Sequence, residues 1–100
     1  MSKIRAACIQ MRSGVDVMPN IAMASRLIRE ATGQGAGFIA TPEMTNLLDI
    51  RPGMARPKLV AQDDDAALAA LRALAGELGI WLLIGSIAVR VEGEDRFANR

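Results

Sequence analysis

The feature that most limits the possible folds is the apolar run IWLLIGSI, which extends from Ile80 to Ile87. Only a glycine and a serine interrupt its aliphatic and aromatic residues. A nearly continuous run of this kind is typical of a strand that is buried on both faces. The sequence therefore predicts a central strand that needs helices on one side and a further layer on the other.

Strand-like and helix-like segments alternate along the rest of the chain. Lys3–Met11 has the pattern of a first strand, and the apolar spacing that follows predicts a helix that Asn20 caps and Gly33 ends. Phe38–Thr41 predicts a second, short strand, which Pro42 closes. This alternation predicts an α/β fold with a mixed sheet and right-handed crossovers.

A second helix is predicted to begin at three aspartates, Asp63–Asp65. We expect them to cap the helix and to interact favourably with its dipole, because adjacent side chains diverge too much for a metal site. Gly79 ends this helix, whose apolar stripe consists of Leu68, Leu71, Ala75 and Leu78. After the third strand, a turn at EGED is predicted to lead into a further strand near Phe97.

Length and composition indicate one globular domain. The 100 residues are 51% hydrophobic and 23% charged, which is typical of a folded chain. The net charge is +1 and the twelve basic residues are scattered, so we expect no nucleic-acid surface. The sequence has neither about eighteen consecutive apolar residues nor a signal-peptide core, so we expect no membrane contact and a cytoplasmic location.

The chain contains no histidine, which removes two kinds of chemistry. A serine–histidine or cysteine–histidine pair cannot form within it, and the commonest zinc ligand is absent. Any reaction must therefore use a carboxylate, an amine, a thiol or backbone groups. The single cysteine, Cys8, excludes an intrachain disulfide, and its place inside the first strand predicts a buried structural residue.

A carboxylate, Glu43, directly follows the second strand in the stretch FIATPEMTN. In open α/β sheets, ligands bind beyond the carboxyl ends of the strands, and Glu43 is placed there. Two interpretations are open from position alone. Glu43 can cap or ion-pair with the following segment, or it can act as a general base that is partly desolvated at the mouth of an apolar sheet.

Four segments together resemble the start of the nitrilase superfamily, the carbon–nitrogen hydrolases. They are IRAACIQM, NIAMASRLIREA, GFIATPEMTN and LGIWLLIGSIAVR, and the match in which they stand extends along essentially the whole chain. The element of strand, proline and glutamate is the most specific of them. The resemblance implies that residues 1–100 are the N-terminal part of an α-β-β-α nitrilase-type sandwich, incomplete at the C-terminal end, with no cofactor and no metal.

Members of this family hydrolyse amides, nitriles or carbamoyl compounds with a glutamate, a lysine and a cysteine, through a thioester. The resemblance places the glutamate of this set on Glu43. The family lysine and cysteine match no position of the chain, because Lys3 and Lys58 do not correspond to that lysine and Cys8 lies in the first strand. The resemblance therefore implies one of three catalytic groups, so we expect the 100 residues alone to be inactive.

The long loop from Met44 to Gln62 is expected to line or cover the substrate pocket. Its plausible polar contacts are Asn46, Arg51 and Arg56. The resemblance is closest to the deaminated-glutathione amidase and ω-amidase branch, which acts on small carboxylate-bearing amides, and an arginine suits such a substrate. N-carbamoyl amidases stay open as an alternative. Family members often carry an apolar residue in place of Thr41, which is expected to tune packing beneath the acid.

Two further interpretations compete with that of an amidase. The chain can be a non-catalytic truncated module that serves as an interaction partner, or an unrelated small α/β protein in which the Pro–Glu match is accidental. For the complete enzyme, the resemblance implies a homo-oligomer that binds a small-molecule amide.

Overall fold

The computed structural model describes residues 3–94 and 96–100. In this part of the chain, strands and helices alternate, and two 3₁₀ turns, Arg56–Lys58 and Gln62–Asp64, lie in the longest connection. The strands are β1 (Ala6–Cys8), β2 (Phe38–Ala40), β3 (Trp81–Leu83), β4 (Ala88–Arg90) and β5 (Phe97–Asn99). The helices are α1 (Val17–Gly33) and α2 (Ala66–Leu78).

The first three strands form a parallel sheet in the order β1-β2-β3, with β2 in the middle. Ile39 on β2 lies opposite Ala7 on β1 and Leu82 on β3. α1 connects β1 to β2, and α2 lies between β2 and β3, as parallel neighbours require. The predicted α/β fold is confirmed. The sheet is parallel rather than mixed, because β4 and β5 pair antiparallel in a separate two-stranded sheet.

Both helices cover the same face of the parallel sheet. Successive strand residues point to opposite faces, so only alternate residues reach the helices. The core on this side consists of Ala24, Ile28, Ala36, Ile39, Leu71 and Leu74. On the opposite face, Trp81 is 78% exposed and Leu83 is 55% exposed. The helices that the Ile80–Ile87 run was predicted to need on one side are present, whereas the further layer predicted on the other side is not among the described residues.

The same apolar run does not form one continuous strand. β3 ends at Leu83, and the chain then leaves the parallel sheet to enter β4 at Ala88. β4 continues to a turn at Gly93, which has a φ of 79°, and β5 returns beside β4 with Val89 opposite Ala98. The predicted strand near Phe97 is confirmed, and so is the predicted turn over residues 92–94, whereas its last residue, Asp95, lies outside the described residues.

α1 begins earlier than the sequence predicts. Asp16, not Asn20, is the residue before its first turn. Pro19 is tolerated in that turn because the first N–H groups of a helix have no helical acceptor. Asn20 lies inside the helix with its side chain buried, where its amide donates to the carbonyl oxygens of Gly14 and Asn46 at 2.9 Å. Its predicted capping role is therefore wrong, whereas the end of α1 at Gly33 is confirmed.

α2 begins and ends where the sequence predicts. The Asp65 carboxylate accepts the Leu68 N–H at 2.8 Å and caps the helix, while Asp63 and Asp64 lie in the preceding 3₁₀ turn. Gly79 ends α2 in the left-handed region with a φ of 65°, which favours glycine. Within the described residues, neither α1 nor α2 has the length and apolar character needed to cross a membrane.

Candidate active site

Glu43 lies in the turn that follows the carboxyl end of β2, as predicted. Because β2 is the central strand, this turn is at the middle of the sheet edge where α/β proteins bind ligands. The side chain is exposed, so the expected partial desolvation is not observed. Among the described residues, none forms a hydrogen bond or ion pair with the Glu43 carboxylate. The geometry therefore gives no support to a capping or ion-pairing role.

Side-chain hydroxyls hold the turn that carries Glu43. The buried Thr45 hydroxyl donates to the carbonyl oxygen of Pro42 at 2.6 Å, and its oxygen lies 2.8 Å from that of Thr41. A hydroxyl has a single proton, so Thr41 must be the donor between the two threonines. The Gly85 N–H donates to the Thr41 oxygen at 3.2 Å. A directed chain of hydrogen bonds therefore runs from Gly85 through both threonines to Pro42.

Met44, the residue after Glu43, has an unusual backbone conformation. Its φ of 53° is left-handed, which costs a non-glycine residue about 1–2 kcal/mol. Ser86 stabilises this conformation, because its hydroxyl oxygen accepts the Met44 N–H at 2.8 Å and its carbonyl oxygen accepts the Thr45 N–H at 2.9 Å. Such residues persist only where the surrounding structure holds them, and they concentrate at functional sites. The hydroxyls of Thr41, Thr45 and Ser86 are called the hydroxyl cluster below.

Gly85 allows the segment after β3 to approach the Glu43 turn. A Cβ atom added at Gly85 would lie 2.5 Å from the carbonyl oxygen of Thr41 and 2.6 Å from the carbonyl carbon of Pro42. No side chain fits at that distance, so this close approach requires glycine. The Thr41 N–H also donates to the carbonyl oxygen of Leu83 at 2.9 Å. The ends of β2 and β3 are therefore joined directly beneath the acid.

Asn46, a predicted substrate contact, lies inside the fold with 1% of its surface exposed. Its amide donates to Asp65 Oδ1 at 3.0 Å and to the carbonyl oxygen of Ala88 at 2.8 Å. Its Oδ1 accepts the Ala88 N–H at 2.8 Å. These bonds give Asn46 a structural role, which joins the loop after β2 to α2 and β4. A substrate contact would require them to break, so that function stays a prediction.

Arg51 and Arg56, the other two predicted contacts, line one cavity of about 510 Å³. Neither Glu43 nor Asn46 is among its lining residues, which are Asp49, Ile50, Arg51, Gly53, Ala55, Arg56, Arg96 and Phe97. The structure thus brings the two predicted arginines together and adds Arg96, but it does not unite them with Asn46.

Sequence reasoning missed Asp49, whose side chain is fully buried. Arg51 donates to both of its carboxylate oxygens, at 2.8 and 2.7 Å, and Lys58 donates to one of them at 2.9 Å. These hydrogen bonds, from Arg51 first and then Lys58, hold the pKa of Asp49 well below its usual range. The Asp49 carboxylate in turn raises the pKa of Arg51. The available signal was a single acid that precedes three cations, Arg51, Arg56 and Lys58, in the same loop.

The chain also matches the model of a known protein family. The family model described as carbon-nitrogen hydrolase matches residues 5–100, which is almost the whole chain. The chain belongs to the carbon-nitrogen hydrolase family. The matched range contains Glu43, the hydroxyl cluster and Asp49, and it confirms the resemblance at the level of the family. The family is hydrolytic, and its general reaction is the hydrolysis of carbon–nitrogen bonds.

Cys8 of this carbon-nitrogen hydrolase differs from its prediction. The thiol is exposed, because Cys8 lies on the sheet face away from the helices, which it shares with Phe38 and Trp81. The predicted burial of Cys8 is therefore wrong within the described residues. In the same part of the chain, no group of three or more histidine, cysteine, aspartate or glutamate residues is arranged to hold a metal ion.

Proposed function

We propose that this carbon-nitrogen hydrolase cleaves the amide bond of a small carboxylate-bearing substrate, with Glu43 as its general base. The observation that carries the proposal is the placement of Glu43. Its carboxylate has no partner among the described residues, yet the hydroxyl cluster fixes the turn beneath it. A carboxylate that makes no structural bond can accept a proton, and a fixed turn holds it in one place.

The chemistry that we propose uses each group in turn. Glu43 takes the proton of a cysteine thiol, and the thiolate attacks the amide carbonyl carbon. A lysine ammonium group stabilises the oxyanion, and Glu43 returns the proton to the departing ammonia as the carbon–nitrogen bond breaks. Glu43 then removes a proton from water as its oxygen attacks the thioester carbon, and it returns this proton to the departing sulfur as the carbon–sulfur bond breaks, which releases the acid and the thiol.

We propose that this lysine and this cysteine lie outside residues 1–100. Lys58 donates to Asp49 and to the carbonyl oxygen of Val15, so its ammonium group is engaged in holding the loop. Cys8 lies within β1, on the exposed face of the sheet. The family's nucleophile and lysine match neither of these positions in the resemblance.

The arginine-lined cavity supports a substrate that carries a carboxylate. Arg51 uses two side-chain nitrogens to bind Asp49, but a guanidinium has five N–H donors, so donors remain for a second carboxylate. Arg56 and Arg96 add positive charge at the same cavity. This arrangement suits the carboxylate of a deaminated-glutathione amidase or ω-amidase substrate, and equally the carboxylate of an N-carbamoyl amino acid.

Replacement of Glu43 tests the proposal in the complete protein that contains this chain. Glu43→Gln keeps the shape of the side chain but removes proton acceptance, so turnover should fall by about 10²–10⁴-fold. Release of ammonia from monoamides of small dicarboxylic acids measures it. Glu77→Gln is the matched control, because Glu77 is an exposed acid whose carboxylate pairs, among the described residues, only with Arg29 on α1. Wild-type turnover in folded Glu43→Gln would exclude Glu43 as the base.

The exposed face of the parallel sheet favours a second candidate function, that of a non-catalytic interaction module. Trp81 and Leu83 present apolar surface there, and such patches mark interaction sites. The two functions differ in their response to the same measurement. A complete wild-type protein that hydrolyses no amide, nitrile or carbamoyl substrate would favour the interaction module.

A further inference from the structure

The hydroxyl cluster forms its bonds at the two peptide groups that flank Glu43. From this geometry we infer that Thr45 and Ser86 are positioning residues, which direct the Glu43 carboxylate by fixing the backbone on both sides of its Cα atom. The inference rests on the proposed role of Glu43 as general base. It assigns a role in the reaction to two residues that do not themselves carry a proton to or from the substrate.

The peptide group before Glu43 is held by Thr45. This peptide group joins Pro42 to Glu43, and its carbonyl oxygen, that of Pro42, accepts a hydrogen bond from the Thr45 hydroxyl at 2.6 Å. A peptide group is planar, so a bond to the Pro42 oxygen also fixes the orientation of the Glu43 nitrogen in the same plane. Thr45 has no spare proton for any other acceptor, because a hydroxyl donates once.

The peptide group after Glu43 is held by Ser86. This peptide group joins Glu43 to Met44, and its N–H, that of Met44, donates to the Ser86 hydroxyl oxygen at 2.8 Å. The left-handed φ of Met44 sets the direction of the backbone after this peptide group. With both flanking planes fixed, the Cα–Cβ bond of Glu43 has one direction, and only the side-chain torsions remain free.

Burial protects the hydrogen bonds of the hydroxyl cluster from competition with water. Thr41, Thr45 and Ser86 are buried, whereas the Glu43 side chain is exposed. Water cannot replace the buried hydroxyls as partners of the backbone, and hydrogen bonds in a site of low dielectric constant are strong. An exposed acid would otherwise sample many backbone orientations. The buried cluster therefore supplies the rigidity that the acid itself lacks.

The test uses the complete protein and compares substitutions that differ in one hydroxyl. Thr45→Val keeps the branched shape but removes both hydroxyl bonds, so turnover should fall by about 10–100-fold, the scale of a misplaced catalytic group. The KM value should change little, because Thr45 does not contact the substrate. Thr45→Ser restores the hydroxyl and should recover most of the turnover. Ser86→Ala should also lower turnover, and it serves as the second variant if Thr45→Val fails to fold.

A matched control and a double substitution separate positioning from general stability. Thr32→Val also removes a threonine hydroxyl that donates to a backbone carbonyl, that of Ile28 in α1, and it should keep wild-type turnover. In a Glu43→Gln background, Thr45→Val should cost little further turnover, because a group that acts through Glu43 has nothing left to direct.

Each result bears on one of the two proposals. If Glu43→Gln alone keeps wild-type turnover, the proposed function fails and this inference fails with it. If Glu43→Gln loses turnover but folded Thr45→Val and Ser86→Ala keep it, only the positioning role is excluded. Equal losses for Thr45→Val with and without Glu43 would also overturn it, since they would show an effect on the fold rather than on the acid.

Discussion

Asn20, Asn46 and Asp65 are buried polar residues that connect α1, the loop after β2 and α2. Asn20 donates to the carbonyl oxygen of Asn46, whose amide donates to the Asp65 carboxylate. Among the described residues, no buried side-chain nitrogen or oxygen is left without a partner. Because an unpaired buried polar group costs about 1–3 kcal/mol, the loss of one member would also destabilise its neighbours.

The positions of these residues show which parts of a site a sequence can reveal. Glu43 could be placed from sequence because a proline that closes a strand is a local signal. Asn46 could not, because its partners lie 19 and 42 positions further along the chain. Asp49 was missed for a related reason. Its burial depends on how the loop folds around it, which no local pattern records.

Asp49 provides a prediction about pH. Its pKa is depressed by Arg51 and Lys58, so its contribution to stability is present above the unfolded-state pKa of about 3.9 and is lost as pH falls through the folded-state value. Asp49→Asn removes this contribution. The wild-type protein should therefore exceed Asp49→Asn in unfolding free energy at neutral pH, and this difference should shrink below about pH 4.

Urea unfolding at several pH values measures that difference. Glu77→Gln is the control, because it removes one member of an exposed ion pair, which contributes little to stability. A difference between wild type and Asp49→Asn that stays constant from neutral to acidic pH would contradict the assigned ionisation of Asp49.

At the scale of elements, the two ends of α2 were predicted better than the lengths of the strands. Asp65 and Gly79 are local signals, and both mark the ends of α2 correctly. The extent of a strand depends instead on its partners. Lys3–Met11 has a strand pattern throughout, yet only Ala6–Cys8 pair with β2, because β2 itself has three residues. The Ile80–Ile87 run was likewise divided by the contact at Gly85, which a hydrophobic pattern cannot show.

The close approach of β3 to the Glu43 turn leads to a prediction at this scale. A Cβ atom at Gly85 would lie 2.5 Å from backbone, which cannot move aside as a flexible side chain can. Gly85→Ala should therefore destabilise the protein by about 1–3 kcal/mol, and it should lower turnover by moving the Glu43 turn. Thermal unfolding and turnover of the complete protein measure the two effects.

Gly76→Ala is the matched control for that substitution. Gly76 lies within α2, and a Cβ atom there would meet no atom within 4 Å apart from its chain neighbours and the nearby backbone of the helix. Alanine is the better helix former, so Gly76→Ala should stabilise the protein by about 0.5–1 kcal/mol. Equal stabilities for the Gly85→Ala protein and the wild type would show that β3 and the turn are less closely packed than described.

The chain is more elongated than a compact domain with the same number of residues. Its radius of gyration is 14.3 Å, against about 13 Å expected for 100 residues, and it measures 50 × 23 × 20 Å. Its helices cover one face of the parallel sheet. The other face presents a continuous set of exposed residues, namely Ala6, Cys8, Phe38, Trp81 and Leu83. In an α-β-β-α sandwich, a second sheet would cover this face.

The last prediction concerns residues 1–100 as an isolated chain. We expect the chain to have no amide hydrolase activity, because the proposed lysine and cysteine lie outside it, its one cysteine lies on β1, and it has no histidine that could replace them. We also expect it to associate through the exposed sheet face, since apolar patches of this kind favour association. Size-exclusion chromatography at increasing concentration measures association, and the reaction of Cys8 with a thiol reagent should slow as that face becomes covered.

Substitutions on the sheet face, compared with one in the loop, test whether the chain associates through that face. Trp81→Ser and Leu83→Ser change side chains that are more than half exposed, so they should reduce association without unfolding the chain. Ile50→Ser removes an equally apolar, 89% exposed side chain from the loop instead, and it should leave association unchanged. A sharp monomer peak at every concentration, with strong amide protection across residues 80–87, would contradict the predicted association. Amide hydrolysis by the isolated chain would contradict its predicted inactivity, because the catalysis would then have to use groups within these 100 residues.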